Sequence, residues 1–369
     1  MLRFSVRMTM MLAFAMSCFG LLVVSYASKT LAKTPYQYCI FQSVYLALGL
    51  VAVAVLWRVP YRIFRNPALL WPLLATVIVL LAAVLLFGKE VKGSTRWIPL
   101  GPVHLQPVEF AKVGLVLFFA SYLEKLGARV RTWRCGFFVP AAILGVVIFL
   151  LWRQPDFGSI MLVGGFSGVL LLIGGVGWRK CAVFGAAGLI AVAVLLTQNK
   201  NRMQRLSNEK TGKNEQVGQA EQAFRNGGVY GVGIGKGMQR EGYLVECHTD
   251  FIFSVIGEDF GLVATGGIWL AFLLMLGGGT VIALRAPDKQ GMLLAFGCTL
   301  VICAQGAANM GVNTHVLPTK GLALPFFSYG GSSLIASYTA LGLLLGVGRA
   351  ALEAQDNPKA DLDRIVTLG

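Results

Sequence analysis

The sequence predicts an all-α polytopic membrane protein of about ten transmembrane helices, with a large extracytoplasmic loop between helices 7 and 8. Three observations predict it. Hydrophobic residues make up 56% of the chain and charged residues 13%, whereas a soluble domain is roughly 25% charged. The apolar residues gather into stretches near the ~20 residues that carry a helix across a bilayer, and a helix leaves no backbone group unpaired in lipid. Lys and Arg collect in alternate short loops, as membrane orientation requires.

In chain order the spans fall at about 8–27, 36–57, 67–88, 108–124, 136–152, 158–177, 181–197, 252–284, 291–312 and 327–348. The first follows Arg3 and Arg7, as a signal peptide would, but its apolar run exceeds the roughly 7–15 residues of a signal core, so a retained helix is expected. Even parity places both termini on one side. Arg58, Arg62, Arg65, then Lys125, Arg129, Arg131, Arg134, then Arg179, Lys180, then Arg285, Lys289 fall on that side. The opposite short loops hold only Lys29, Lys33, Lys89, Lys92, Arg96, Arg153 and Lys320. Both termini are therefore expected in the cytoplasm, and the loop at about 198–251 outside it. A single transmembrane domain over 1–350 and a short cytoplasmic tail over 351–369 follow.

The formal charge of +15 does not indicate a nucleic-acid partner, because much of it anchors helix ends and no nucleic-acid motif accompanies it. The large loop carries Arg202, Arg205, Lys210, Lys213, Arg225, Lys236 and Arg240; this is either a cationic surface for lipid headgroups or a pyrophosphate, or a solvated loop. The seven cysteines form no disulfide framework or paired metal motif. His104, His248 and His315 lie far apart in sequence and read as polar interface residues sooner than as a metal site. Glycines 164, 165, 168, 174, 175 and 177 suit close helix packing. The run Gly227-Gly-Val-Tyr-Gly-Val-Gly-Ile-Gly-Lys-Gly237 looks like a phosphate loop but lacks its Gly-Lys-Ser/Thr ending; a flexible or re-entrant segment lining an outer cavity is the alternative.

Charge inside an apolar span is the better guide to function. Glu109 and Lys112 stand three apart, on one helical face, and can pair; they are either a cavity wall or a structural ion pair. Gln106-Pro107 starts their helix, and Arg96 and Trp97 mark the interface. Asp156, in Gln154-Pro-Asp-Phe-Gly158, reads as a helix cap first and a catalytic group second. Asp250 stands where the long polar loop re-enters an apolar segment. It is either a helix cap or a general base whose basicity is tuned by desolvation and neighbouring cations. Glu258 and Asp259 lie about two turns further on, which argues for separate roles.

Four stretches, His248-Thr-Asp-Phe-Ile-Phe-Ser-Val-Ile-Gly-Glu258, Gln106-Pro-Val-Glu-Phe-Ala-Lys112, Gln154-Pro-Asp-Phe-Gly158 and Pro325-Phe-Phe-Ser-Tyr-Gly-Gly-Ser-Ser333, resemble the signatures of the SEDS family (shape, elongation, division and sporulation). They occur in the family's order, and the resemblance runs from the first span to about Arg349. The segment Asn309 to Pro325 is similar to the division (FtsW-type) branch more than to the elongation (RodA-type) branch. The resemblance implies a peptidoglycan glycosyltransferase that polymerises lipid II at the outer face of the cytoplasmic (inner) membrane. It also implies a class B penicillin-binding protein and other division proteins as partners. Asp250 falls on the Asp taken as catalytic in the family, and Arg202 and Arg205 fall on its Arg-x-x-Arg. Arg240 stands where Lys is usual. Glu109, Lys112 and Asp156 match positions lining or supporting the cavity, as do His248, Thr249, Lys320 and Ser332 within the quoted motifs. A divalent cation could assist the arginines with a pyrophosphate.

The chain departs from the family pattern at Leu244-Val-Glu-Cys247, where Leu-Pro-Glu-Ala is common, and at Ser207–Lys213, where Phe-Leu-Asp-Pro is common. A family Glu-Glu pair reads Glu258-Asp259. Two other classes stay open on the residues: a lipid II flippase or transporter, which also uses buried charge and broken helices, and a non-catalytic scaffold for a transpeptidase.

Overall fold

Apolar length decides most of the architecture. The computed structural model describes residues 1–27, 36–91, 94–101, 103–197, 215–238, 247–318 and 321–356. Its helices are α1 (Leu2–Ala27), α2 (Gln37–Arg58), α3 (Pro67–Phe87), α4 (Pro107–Leu126), α5 (Val139–Arg153), α6 (Phe157–Ile173), α7 (Trp178–Thr197), α8 (Glu215–Gly227), α9 (Ile252–Leu284), α10 (Lys289–Asn313) and α11 (Gly331–Asp356). Seven of the described helices are long and apolar enough to cross a membrane, α5 with the turn from Arg134 that precedes it. The protein is a polytopic, all-helical membrane protein. The spans expected at 108–124, 158–177 and 181–197 are also helices, α4, α6 and α7; α4 carries Glu109, Lys112, Glu124 and Lys125.

The helices divide into an inner and an outer set. The apolar windows of α10 and α11 are 67% and 78% buried, against 22–39% for the other five long apolar helices. Helices that protein shields from lipid can carry polar groups that hydrocarbon would penalise, and α10 and α11 do. α10 packs on α4, α9 and α11, and α11 packs along α2. The start of α1 and the end of α11 lie side by side, where Arg3 donates to both carboxylate oxygens of Asp356 at 2.9 and 2.8 Å. At that same end Arg62 and Arg65 pair with Asp288, each at 2.9 Å, and Arg65 with Glu124 at 2.6 Å. Tyr61 donates to Asp288 at 2.9 Å; burial and that carboxylate push its phenol far above the ordinary range, so it stays a donor.

Three features were not expected from the sequence. The connection before α4 is a three-stranded antiparallel meander, Lys89–Val91, Ser94–Leu100 and Val103–Leu105, with Trp97 opposite Lys89 and Ile98 opposite Leu105. Its middle strand, Ser-Thr-Arg-Trp-Ile-Pro-Leu, contains the β-branched and aromatic residues that favour strands. Within the large loop, α8 lays Ala220 and Ala223 against α9, and Phe224 meets Phe253 at 5.7 Å between ring centroids. The last helix begins at Gly331 and not near 327, because residues 324–330 form turns with Phe326 in the left-handed region at φ 69°.

Candidate active site

α9 begins at Ile252, and its cap position belongs to Phe251, which makes no side-chain cap bond. Asp250 therefore lies just outside the cap position, in the turn over residues 247–251. The main chain of this turn is held at three consecutive carbonyls. The Tyr329 amide donates to His248 O at 2.9 Å, Ser328 Oγ to Thr249 O at 2.6 Å, and the Nδ2 atoms of Asn309 and Asn313 to Asp250 O at 2.9 and 3.0 Å. Asn313 also accepts from the Ser254 amide and hydroxyl, at 3.2 and 2.7 Å. The His248 ring sits against Tyr38 and Tyr329, 5.1 and 5.8 Å between centroids.

The Asp250 carboxylate and the Arg96 guanidinium both border Gly321. A Cβ at Gly321 would lie 2.9 Å from Asp250 Oδ2 and 3.5 Å from Arg96 Nη1. The middle strand of the meander delivers Arg96 here. Its Nη2 donates to Pro155 O at 2.8 Å and stands 3.7 Å from Asp156 Oδ1. Its Nε is buried and has no hydrogen-bond partner among the described residues. Asp156 itself caps α6, accepting from the Ser159 amide at 3.3 Å and from its hydroxyl at 2.7 Å.

Glu109 and Lys112 form a buried pair at 2.8 Å, with 7% and 1% of their side chains exposed. Lys112 also donates to Gln305 Oε1. Gln305 Nε2 in turn donates to Ala323 O at 3.1 Å, and Asn309 Nδ2 donates to Leu322 O as well as to Asp250 O. Gln305, Asn309 and Asn313 recur every four residues, which places them on one face of α10. This polar stripe runs from the ion pair to the main chain of Asp250. Ser332 lies at a joint beside it: it accepts from the Gln106 amide at 2.9 Å and contacts His104 O at 3.4 Å, pinning the start of α4 to the start of α11.

Glu258 and Asp259, each 1% exposed, serve the glycine-rich run. Asp259 accepts from the amides of Gly235 and Gly237 at 3.3 and 3.0 Å, and Glu258 accepts from the Met238 amide at 3.2 Å and from Asn226 Nδ2 at 3.0 Å. Amides that would cradle a phosphate in a phosphate loop are here engaged by the chain's own carboxylates.

Arg202, Arg205, Arg240 and Lys320 lie outside the described residues. Among the described residues no group of three or more His, Cys, Asp or Glu side chains converges in metal-binding geometry. The structure thus gathers Asp250, His248, Thr249 and Asp156 at one end of the bundle and sets Glu109 and Lys112 deeper. The residues that sequence reasoning did not single out for the site are Arg96, Gln305, Asn309, Asn313 and Gly321. The i, i+4, i+8 polar stripe on an otherwise apolar helix was the signal for three of them.

The model of the family described as cell cycle protein (FtsW, RodA, SpoVE) matches residues 5–352. The chain belongs to that family. The FtsW-like character is the stronger one: a relative from Geobacter metallireducens named probable peptidoglycan glycosyltransferase FtsW is 37% identical over 92% of this chain and 93% of its own. One from Coxiella burnetii with the same name is 36% identical over 89% and 92%. Among solved structures, one titled structural coordination of polymerization and crosslinking by a peptidoglycan synthase complex matches with TM-score 0.76 at 31% identity, over 93% of this chain and 97% of that one. The rod shape determining protein RodA of Thermus thermophilus matches with TM-score 0.68 at 32% identity, over 92% and 95%. This family member is thus of the FtsW type.

Proposed function

We propose that the protein is a peptidoglycan glycosyltransferase of cell division that polymerises lipid II at the outer face of the cytoplasmic (inner) membrane, with Asp250 as general base. The observation that carries the reading is the Asp250 carboxylate at one mouth of the bundle, bordering Gly321 as Arg96 does, on a turn whose carbonyls are tied to α10 and residues 328–329. Relatives that carry the name peptidoglycan glycosyltransferase support the activity.

In this reading the 4-hydroxyl of the acceptor sugar attacks the anomeric carbon of the donor. The new glycosidic C–O bond forms as the bond to undecaprenyl pyrophosphate breaks, and the hydroxyl proton passes to Asp250. The leaving group is already the conjugate base of an acid, so the second carboxylic acid that glycosidases place opposite their base is not needed. The Arg96 guanidinium, which borders Gly321 as Asp250 does, offers a donor to developing negative charge. Arg202, Arg205 and Arg240 would hold the pyrophosphate, with His248, Thr249, Lys320 and Ser332 lining or supporting the cavity. Ten membrane crossings with both termini cytoplasmic, 198–251 as the outer loop and 351–369 as a cytoplasmic tail complete the proposed topology. The solved synthase complex supports a class B penicillin-binding protein as partner.

The test is conversion of purified lipid II by the full chain, with its transpeptidase partner present. Glycan strands and released undecaprenyl pyrophosphate are expected. Transbilayer movement of lipid II with no polymer would assign the chain to transport instead.

A further inference from the structure

The stretch Gly231-Val-Gly-Ile-Gly-Lys-Gly-Met238 alternates glycine with a larger residue, and the structure sorts the two sets by exposure. Gly231 and Gly237 turn toward α9: a Cβ on Gly231 would lie 2.2 Å from Asp259 O, and one on Gly237 2.5 Å from Glu258 Oε2. Val232, Ile234, Lys236 and Met238 are all exposed, Ile234 at 61% and Met238 at 67%. Tyr230, in the preceding turn, is 85% exposed.

The backbone of this stretch is satisfied by protein. α9 breaks at Gly261, where φ is 73° and ψ −166°. The break frees the amides of Leu262 and Val263 from the helical ladder, and they donate to the carbonyls of Gly228 and Val229 at 3.0 and 3.2 Å. In exchange, the amides of Val232 and Gly233 donate to the carbonyls of Glu258 and Asp259 at 3.0 and 3.1 Å. Further along, the two carboxylates take the amides of Gly235, Gly237 and Met238. A loop in water would have no need to bury two carboxylates for this purpose. Non-helical backbone at membrane depth does, because lipid supplies no partners.

The apolar side chains also continue a lipid-facing surface. Leu262 and Val263, on α9 beside the break, are 66% and 61% exposed, and Leu270 and Leu273 further along the same helix are 56% and 58% exposed. From Leu284 back to Leu262 the helix rises roughly 34 Å at about 1.5 Å per residue, slightly more than the ~30 Å hydrocarbon core. The break, and the stretch bonded to it, fall at the boundary between acyl chains and headgroups.

We propose that residues 228–238 are a re-entrant segment that inserts Tyr230, Ile234 and Met238 into the phospholipid leaflet at the Asp250 end of the bundle, with Lys236 among the lipid phosphates. Tyrosine at the headgroup level and a lysine reaching for phosphate are the ordinary residents of that boundary. The segment then ties the large loop that leads to Asp250 to the membrane surface. The proposal stands on exposure and backbone pairing, independently of the role of Asp250.

The test places the photo-crosslinker p-benzoylphenylalanine at Tyr230, Ile234, Leu270 or Glu221, one at a time, in the full chain held in nanodiscs of phosphatidylethanolamine and phosphatidylglycerol. The first two positions are exposed, so the replacement disturbs no packing. Phospholipid adducts at Tyr230 and Ile234, with yields comparable to those at Leu270 and well above those at Glu221, are expected. Yields at Tyr230 and Ile234 that match Glu221 while Leu270 labels would overturn the proposal.

Discussion

Asn313 donates its side-chain Nδ2 to the main-chain carbonyl of Asp250 at 3.0 Å. Asn309, one turn earlier on α10, donates to the same oxygen at 2.9 Å. With one donor removed, the other still holds the turn. Asn313→Ala should therefore lower kcat for lipid II polymerisation by about tenfold, and Asn309→Ala with Asn313→Ala by about 100-fold, the order of loss that a misplacement of about 1 Å produces. KM for lipid II should stay within roughly threefold, because the substrate-binding groups are untouched. Steady-state kinetics of the single and double variants checks this.

Gly321 offers a sharper intervention. Its φ is not in the left-handed region, so an alanine there is not strained by its backbone; its methyl would lie 2.9 Å from Asp250 Oδ2 and 3.5 Å from Arg96 Nη1. Gly321→Ala should cut activity by about 100-fold and leave the unfolding midpoint in detergent unchanged. Activity and thermal unfolding measured on the same preparation separate the two effects.

The Glu109–Lys112 pair predicts a stability effect. Lys112→Met leaves a carboxylate buried without its partner and should cost about 3–5 kcal/mol, whereas Glu109→Gln with Lys112→Met removes both charges and should recover most of the loss. Denaturant unfolding of both variants in the same micelles gives the difference.

Arg96 reaches in two directions, with Nη2 on Pro155 O and Nη1 at Gly321, which Asp250 Oδ2 also borders. A lysine has one cationic nitrogen and no fork. Arg96→Lys should therefore fall below the parent activity by about tenfold, and Arg96→Ala by about 100- to 1000-fold, the loss of about 2.7–4 kcal/mol of transition-state stabilisation that removing a donor to developing charge brings. Equal activity of the lysine variant and the parent would remove Arg96 from the site.

Much of this protein was legible in its residues. Apolar length placed the eighth span at 252–284, the bounds of α9 itself, and the spacing of Glu109 and Lys112 implied the ion pair found at 2.8 Å. What stayed hidden depends on long-range geometry. Arg96 reads as an interface residue until a strand pairing, Pro99 opposite His104 and Ile98 opposite Leu105, folds its strand back beside α4. Whether Asp250 caps a helix depended on where α9 begins, a boundary that propensity cannot fix to one residue. Gln305, Asn309 and Asn313 were visible as a helical stripe, but their partners are main-chain carbonyls at 250, 322 and 323, whose approach to α10 no local pattern announces. The glycine run resembled a phosphate loop only superficially, because the same backbone amides suit a phosphate or a carboxylate; Glu258 and Asp259 supply the carboxylates.

The most direct test of the central claim compares the parent chain with Asp250→Asn in one lipid II polymerisation assay, at matched amounts of membrane-inserted protein. Asparagine keeps the shape of the side chain and its main-chain bonds to Asn309 and Asn313 but cannot take the acceptor's proton. Glycan strands from the parent and none from Asp250→Asn is the predicted result; full activity in Asp250→Asn would contradict the assignment of the base.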